Sequence, residues 1–397
     1  MPENLHLAVA LDGAGWHPAA WREPGSHPRE LFTPRYWADL ARTAEQGGLD
    51  LLTVEDSLAL QSHDPFHADE RLDEVRGRLD ALLVASLLAP LTHRIGLVPT
   101  VTVTHTEPFH VSKAVATLDH TSLGRAGWQV KVSGRALEAE HFGRRQIAPV
   151  AAADLTDGLP AAFADLFDEA ADVVDVVRRL WDSWEDDAEI RDVETRRFID
   201  RDKVHTVDFE GRFFSVRGPS IVPRPPQGQP LVTALAHRRE PYLLAARGAD
   251  LVFVTPGFAG TAAEILTDIA QASSDVGRTG EPLQVYADLV VFLDAGGETG
   301  QERRSRLEGV AGEAYTSDTT VFAGSAAEAA DLIGSWAELG YHGVRLRPAV
   351  ATDDLTAIVD DLVPELTRRG LHRESAGATL RERLGLPTTV PNRYAAV

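Results

Sequence analysis

Short runs of β-branched and other apolar residues alternate with longer amphipathic stretches along nearly the whole chain, and this alternation restricts the fold more than any other feature. Parallel strands are joined by crossovers, usually helical, so repeated strand–helix units specify a parallel sheet. The runs that read as strands are Leu5–Leu11, Leu49–Val54, Ile95–Val103, Gly127–Val132, Leu231–Leu235, Leu251–Val254, Leu283–Leu293 and Gly343–Leu346. Eight such units are what a closed (β/α)8, or TIM, barrel requires, and this is the α/β fold the sequence predicts.

Helical patterns fill the spaces between: Arg35–Gln46, Leu79–Leu91, Val111–Thr121, Phe163–Trp184, Thr261–Ala272, Ala326–Leu339 and Asp354–Arg369. Thr33-Pro34 reads as an N-cap with a first-turn proline, and Gly47-Gly48 and Gly370 stand where helices stop. The 397 residues exceed a usual one-core length, yet barrels with insertions reach it, so residues 1–397 are expected to form a single domain. The segment 185–229 is too long for a plain connection and carries the prolines Pro219, Pro223, Pro225 and Pro226. It is expected to be an insertion before strand five, either lying over the barrel mouth or serving as a rigid surface brace.

Sixty acidic against thirty-nine basic side chains give a formal charge of -21, which repels phosphate backbones and anionic membranes. Nucleic acid and membrane surfaces are therefore not expected partners. The absence of cysteine excludes disulfides, thiolate catalysis and cysteine-ligated zinc. Leu5–Leu11 lacks a basic leader, and no apolar run approaches the roughly 20 residues of a membrane span, so a soluble, cytoplasmic protein is expected.

In such a barrel the loops after the strands meet on one face, and chemistry gathers there. The loop after strand one holds Trp16, His17, Trp21 and Arg22 on a glycine-softened turn, which suits an apolar ligand with an ionisable neighbour. Strand two ends in Glu55-Asp56-Ser57, where a carboxylate could accept from a heterocycle N–H or cap the next helix. His63 and His67 are four apart, but the intervening proline spoils helical geometry, and no metal is expected. Thr100, Thr102 and Thr104 place hydroxyls on one face of strand three, and Gln129 on strand four could donate and accept at once. Trp16, Trp21, Phe66 and Phe258 are candidates for an aromatic-lined cavity.

Several stretches resemble the luciferase-like, flavin-dependent monooxygenases, in the nitrilotriacetate, dibenzothiophene-sulfone and long-chain-alkane branch. The resemblance is carried by His17-Pro18-Ala19-Ala20-Trp21-Arg22, by Glu107–Val111 with Leu118–Trp128, and by Leu180–Asp187. Val216–Pro219 with Pro223–Pro230 and the tail Val363–Leu371 extend it over nearly the whole chain. It implies a two-component monooxygenase, in which a separate reductase supplies reduced FMN and dioxygen oxygenates a small organic substrate, on a homodimeric barrel; the alanine- and arginine-rich composition favours a natural-product intermediate as that substrate. It also implies that Asp56 and Thr102 stand at the flavin ring, that Ser133 belongs to the matching segment after strand four, and that His17 is a catalytic residue on the substrate side.

The departures from the family pattern cluster at the flavin. Gln129-Val130-Lys131-Val132-Ser133 replaces Asn-Val-Val-Thr-Ser, Leu166-Phe167 replaces an Arg-Tyr pair, and Leu235-Ala236-His237-Arg238 replaces the Ala-Gly-Ser-Ser phosphate turn. Loss of the tyrosine hydroxyl removes one charge-assisted hydrogen bond, worth about 1.5 to 3 kcal/mol. His237, Arg238 and Arg239 offer cationic donors in exchange, so the expectation is weakly held FMN with His237 and Arg238 at its phosphate. Two other readings stay open: an FMN-independent or deazaflavin-dependent oxidoreductase on the same barrel, and a non-catalytic partner subunit.

Overall fold

A computed structural model describes residues 4–64, 67–149 and 161–395. The parallel strands β1 (His6–Leu11), β2 (Leu51–Val54), β3 (Gly96–Thr102) and β4 (Gly127–Lys131) precede two antiparallel hairpins, β5 (Glu189–Asp192) with β6 (Arg197–Ile199) and β7 (Val207–Glu210) with β8 (Ser215–Gly218). Then come β9 (Leu231–Ala236), β10 (Leu251–Val254), β11 (Gln284–Leu293), β12 (Thr320–Gly324) and β13 (Gly343–Pro348). Pairing runs β10-β9-β4-β3-β2-β1-β13-β11, and a further β10–β11 ladder closes the ring. All eight sequence-predicted strands are thus barrel strands.

The surrounding helices are α1 (Pro34–Gln46), α2 (Ala81–Leu88), α3 (Pro108–Ser122), α4 (Ala136–Phe142), α5 (Ala161–Asp182), α6 (Arg239–Gly248), α7 (Ala262–Asp275), α8 (Gly300–Ala311), α9 (Ala326–Leu339), α10 (Ala351–Ala357), α11 (Val363–Arg368) and α12 (Leu380–Arg383). Thr33 caps α1 through the Tyr36 N–H, and Gly370, with φ at 71°, follows α11 in the left-handed region that favours glycine. Among the elements that escaped the sequence reading are one helix and one strand of the barrel's second half. Helix α8 buries little more than Gly300, Arg303 and Leu307, so its apolar period is faint; its signal was the Thr299–Glu302 capping box. Strand β12 spans only five residues and pairs with β11 alone.

The N-terminal end of the barrel is sealed by apolar side chains. Leu51, Val98, Leu231, Leu251, Phe253 and Tyr286 pack inside with Leu380, Leu384 and Leu386 around α12. Gly96 allows this plug: a Cβ there would lie 2.6 Å from Leu380 Cδ1. The segment 185–229 braces the flank. Val207, Phe209, Phe214 and Val216 pack with Val176 and Leu180 of α5, Gln227 bonds Asp119 of α3, and Arg224 pairs with Asp182. Only the turn around Arg212, which pairs with Asp165 at the start of α5, approaches the rim. Most of its apolar residues bury against this helical flank, and Phe213 and Phe214 at its tip border a cavity at the mouth.

Candidate functional site

The sealed lower end leaves the C-terminal mouth as the place for chemistry. Arg345 and Arg347 are two apart on β13, so both point into the barrel, where each is at most 1% exposed. Between them stands Asp288 of β11, wholly buried. Its carboxylate accepts from Arg345 Nε at 2.7 Å and Nη2 at 2.6 Å, and from Arg347 Nη2. Arg347 also donates to Asp318 at 2.5 Å and lies 4.4 Å above the Trp16 ring, while Arg345 lies 4.0 Å from the Phe253 ring centroid. Buried charges persist only when paired and hydrogen-bonded, as these are.

Strands β2 to β4 bring four of the predicted site residues to one arc of the mouth. Gln129 is buried, and its amide is fully engaged: Nε2 donates to Thr100 at 2.9 Å and Glu55 at 3.3 Å, and Oε1 accepts from Arg345 at 2.7 Å. It therefore belongs to the barrel's inner network. Asp56 accepts from the backbone N–H groups of Ser57 at 2.7 Å and Ala81 at 3.0 Å, and burial raises its pKa. Thr102 is buried opposite Lys131 in the β3–β4 register, and Lys131 donates to the Asp56 carbonyl at 2.5 Å. Ser133 is buried just beyond and donates its N–H to Thr104 Oγ1. Glu138, buried in α4, ties this arc to the loop after β2 through the Ser57 hydroxyl at 2.8 Å. Lys131 and Glu138 were not singled out from sequence; the pattern of alternate residues after Gln129 was the available signal for Lys131.

His237 and Arg238 lie just beyond the end of β9, the strand that pairs with β4. His237 Nδ1 is buried and unpartnered, its ring meets Phe258 edge-on at 6.0 Å, and burial lowers its pKa. Arg238 is half-buried at the start of α6 and, among the described residues, makes no ion pair, whereas Arg239 pairs with Asp275 at 2.8 Å. Phe167 is half-buried against the core, and Leu166 faces a neighbouring cavity.

His17 takes a third position, 2% exposed, beside Phe292 and Tyr315. Its Nδ1 accepts from the Ala19 N–H at 3.1 Å, so a neutral ring carries its hydrogen on Nε2, which is buried without a partner. Burial depresses its pKa to about 4, so near neutral pH it is a hydrogen-bond donor and not a titrating group. Tyr315, missed in sequence because it follows the faint α8, has its hydroxyl pushed up to about 12 by burial.

Two cavities open here. One of about 160 Å³ is bounded by Asp12–Pro18, Gln61–His63 and Glu74-Val75. The other, about 570 Å³, lies beside the arc between Val103–Pro108, Phe142, Arg144–Ala148, Phe163, Leu166 and Phe213-Phe214. The four predicted aromatic residues do not line one cavity: Trp16 borders the small one, Trp21 donates to the Asp73 carbonyl, Phe258 is exposed, and Phe66 lies outside the described residues. His63 meets Glu74 and Glu313 and not His67, with Arg71 donating to Glu313 at 2.5 Å within the cluster.

The comparisons with known proteins agree with this architecture. The sequence profile described as luciferase-like monooxygenase matches residues 14–363. The chain is 30% identical to N-acetyl-S-(2-succino)cysteine monooxygenase of Bacillus subtilis, covering 99% of each protein. It is 29% identical to nitrilotriacetate monooxygenase component A of Aminobacter aminovorans, covering 97% of each. The crystal structure of a long-chain alkane monooxygenase superposes with a TM-score of 0.81 at 24% identity, covering 97% of this chain and 96% of that one. The match spans barrel, insertion and tail alike, and the chain belongs to the luciferase-like monooxygenase family.

Proposed function

We propose that this chain is the oxygenase component of a two-component, flavin-dependent monooxygenase: it takes reduced FMN from a separate reductase and oxygenates a small organic substrate. The observation that carries the reading is a set of buried polar atoms without partners at four strand ends: His17 Nε2, His237 Nδ1, Thr255 Oγ1 and Arg347 Nε. Buried polar groups left unpaired cost about 1 to 3 kcal/mol each, so such a set fits a ligand rich in heteroatoms. The chemistry present fits a flavin at both ends. Asp56, Thr102 and Ser133 would hold the ring side, and His237 and Arg238 the phosphate side, where Arg238 lacks an ion pair among the described residues.

When bound, reduced FMN supplies the two electrons with which dioxygen places one oxygen atom in the substrate and the other in water. The neutral His17 would orient the substrate through its Nε2–H. The buried walls around Trp16, Phe292 and Tyr315 would exclude bulk water. The name of the nitrilotriacetate relative, component A, supports a partner reductase. A homodimer is also proposed, across α2, where Leu83 and Leu87 are exposed one turn apart. Among the described residues no helix is long and apolar enough to cross a membrane, which is compatible with the cytoplasmic, single-domain enzyme proposed.

A second reading, oxidoreduction on this barrel without FMN, is favoured by the full engagement of Gln129 and by Phe167, which has no hydroxyl to offer a phosphate. One experiment separates the two. Arg238→Ala should weaken reduced FMN by about tenfold or more and reduced riboflavin hardly at all, because only FMN carries the dianion. Equal effects on both ligands would remove Arg238 from the phosphate; oxygenase activity with no FMN binding would establish the second reading.

A further inference from the structure

The Lys131 ammonium, like the Arg238 guanidinium, stands at the mouth without an ion pair among the described residues. Its side chain is half-buried, and among the described residues Nζ makes one hydrogen bond, to the uncharged Asp56 carbonyl, and no ion pair. The carboxylates of Glu55, Asp56 and Glu138 act on it, as does the repelling Arg78, but none of these carboxylates lies within ion-pair distance. Glu55 is engaged by Arg345, Asp56 by two backbone N–H groups, and Glu138 by Ser57 through Oε1, while its buried Oε2 has no hydrogen-bond partner. An ammonium carries three donors and is strongly hydrated, so enclosing one without a counter-ion is unfavourable. Two of its N–H groups remain for a ligand. The position is informative: Lys131 ends β4 beside Thr102 of β3 and reaches across to Asp56 after β2. It therefore spans the arc assigned above to the flavin ring.

We propose that Lys131 reads the charge of the flavin ring, selecting reduced flavin, whose ring is anionic at neutral pH, over the neutral oxidised ring. The inference rests on the flavin reading above and adds what separates the two redox states. The phosphate, and whatever holds it, is common to both states, so the ratio of their affinities isolates the ring. Burial lowers the pKa of Lys131, as expected for a cation awaiting its partner, and an anionic ring would oppose that shift. Selection of this kind suits a protein that receives flavin already reduced: the oxidised product leaves, and the mouth is free again.

The test is an anaerobic titration of the wild-type chain, Lys131→Met and Lys131→Arg with reduced and with oxidised FMN, thermal midpoints confirming that each variant is folded. The wild type should prefer the reduced form. Lys131→Met should lose about tenfold in affinity for reduced FMN, with the oxidised form unchanged, and Lys131→Arg should keep the preference. Equivalently, the two-electron potential of bound FMN should fall by about 30 mV in Lys131→Met. Lys131→Gln replaces Lys131→Met if the latter does not fold. Affinity for both redox states falling together, or neither changing, would overturn the role of Lys131 while leaving flavin binding intact. Failure of the wild type to bind either state would instead overturn the flavin reading, and this inference with it.

Discussion

His17 provides a pH-dependent stability whose size follows from its surroundings. The imidazole is almost wholly enclosed, and burial holds its pKa near 4 against an ordinary 6.5. The unfolded chain therefore binds a proton that the folded chain refuses, and stability rises with pH between these values and is lost as pH falls from 6.5 toward 4. Linkage over that shift puts the loss between pH 7 and pH 5 at about 2 kcal/mol from this residue alone. His17→Asn is the informative substitution, because the asparagine oxygen can accept from the Ala19 N–H as Nδ1 does and does not titrate. Urea unfolding followed by tryptophan fluorescence should show the wild type losing about 2 kcal/mol more than His17→Asn from pH 7 to pH 5. Parallel losses in the two proteins would refute a buried, neutral His17.

Asp288→Asn leaves the Arg345 and Arg347 guanidiniums without their shared carboxylate and should destabilise the barrel by about 3 to 5 kcal/mol, read from urea midpoints. Leu384→Ala opens a hole in the apolar plug and should cost about 2 to 5 kcal/mol by the same assay. Leu83→Glu, on the exposed face of α2, should leave the fold intact and convert a dimer to the 43.0 kDa monomer in light scattering; a monomeric wild type would dismiss that interface.

The barrel was readable because each of its eight strands is a short apolar run with a helix or turn signal on either side, and burial inside and out demands that pattern. Strand β12 was not, since five residues pairing with one neighbour need no such run. At the mouth, position near a strand end placed Asp56, Thr102, Ser133 and His237 on the barrel's C-terminal rim, because that rule depends only on where strands end. It could not say which side chains were already engaged. Gln129 reads in sequence as a side chain able to donate and accept at once, and Arg345, more than two hundred residues away, donates to its oxygen. Likewise the depressed pKa of His17 comes from burial near Tyr315 and Phe292, neighbours that no local pattern connects to it. The Arg345–Asp288–Arg347 cluster was hidden for the opposite reason: charged residues in a strand normally signal an exposed face, and here they sit side by side on the paired strands β11 and β13, turned to the interior.

The most direct test of the account is equilibrium binding of photoreduced FMN to the wild-type protein under anaerobic conditions, with oxidised FMN measured alongside. The account predicts saturable binding of reduced FMN at one site per chain, tighter than that of the oxidised form, in a protein that purifies largely colourless. Absence of saturable binding in either redox state would contradict it.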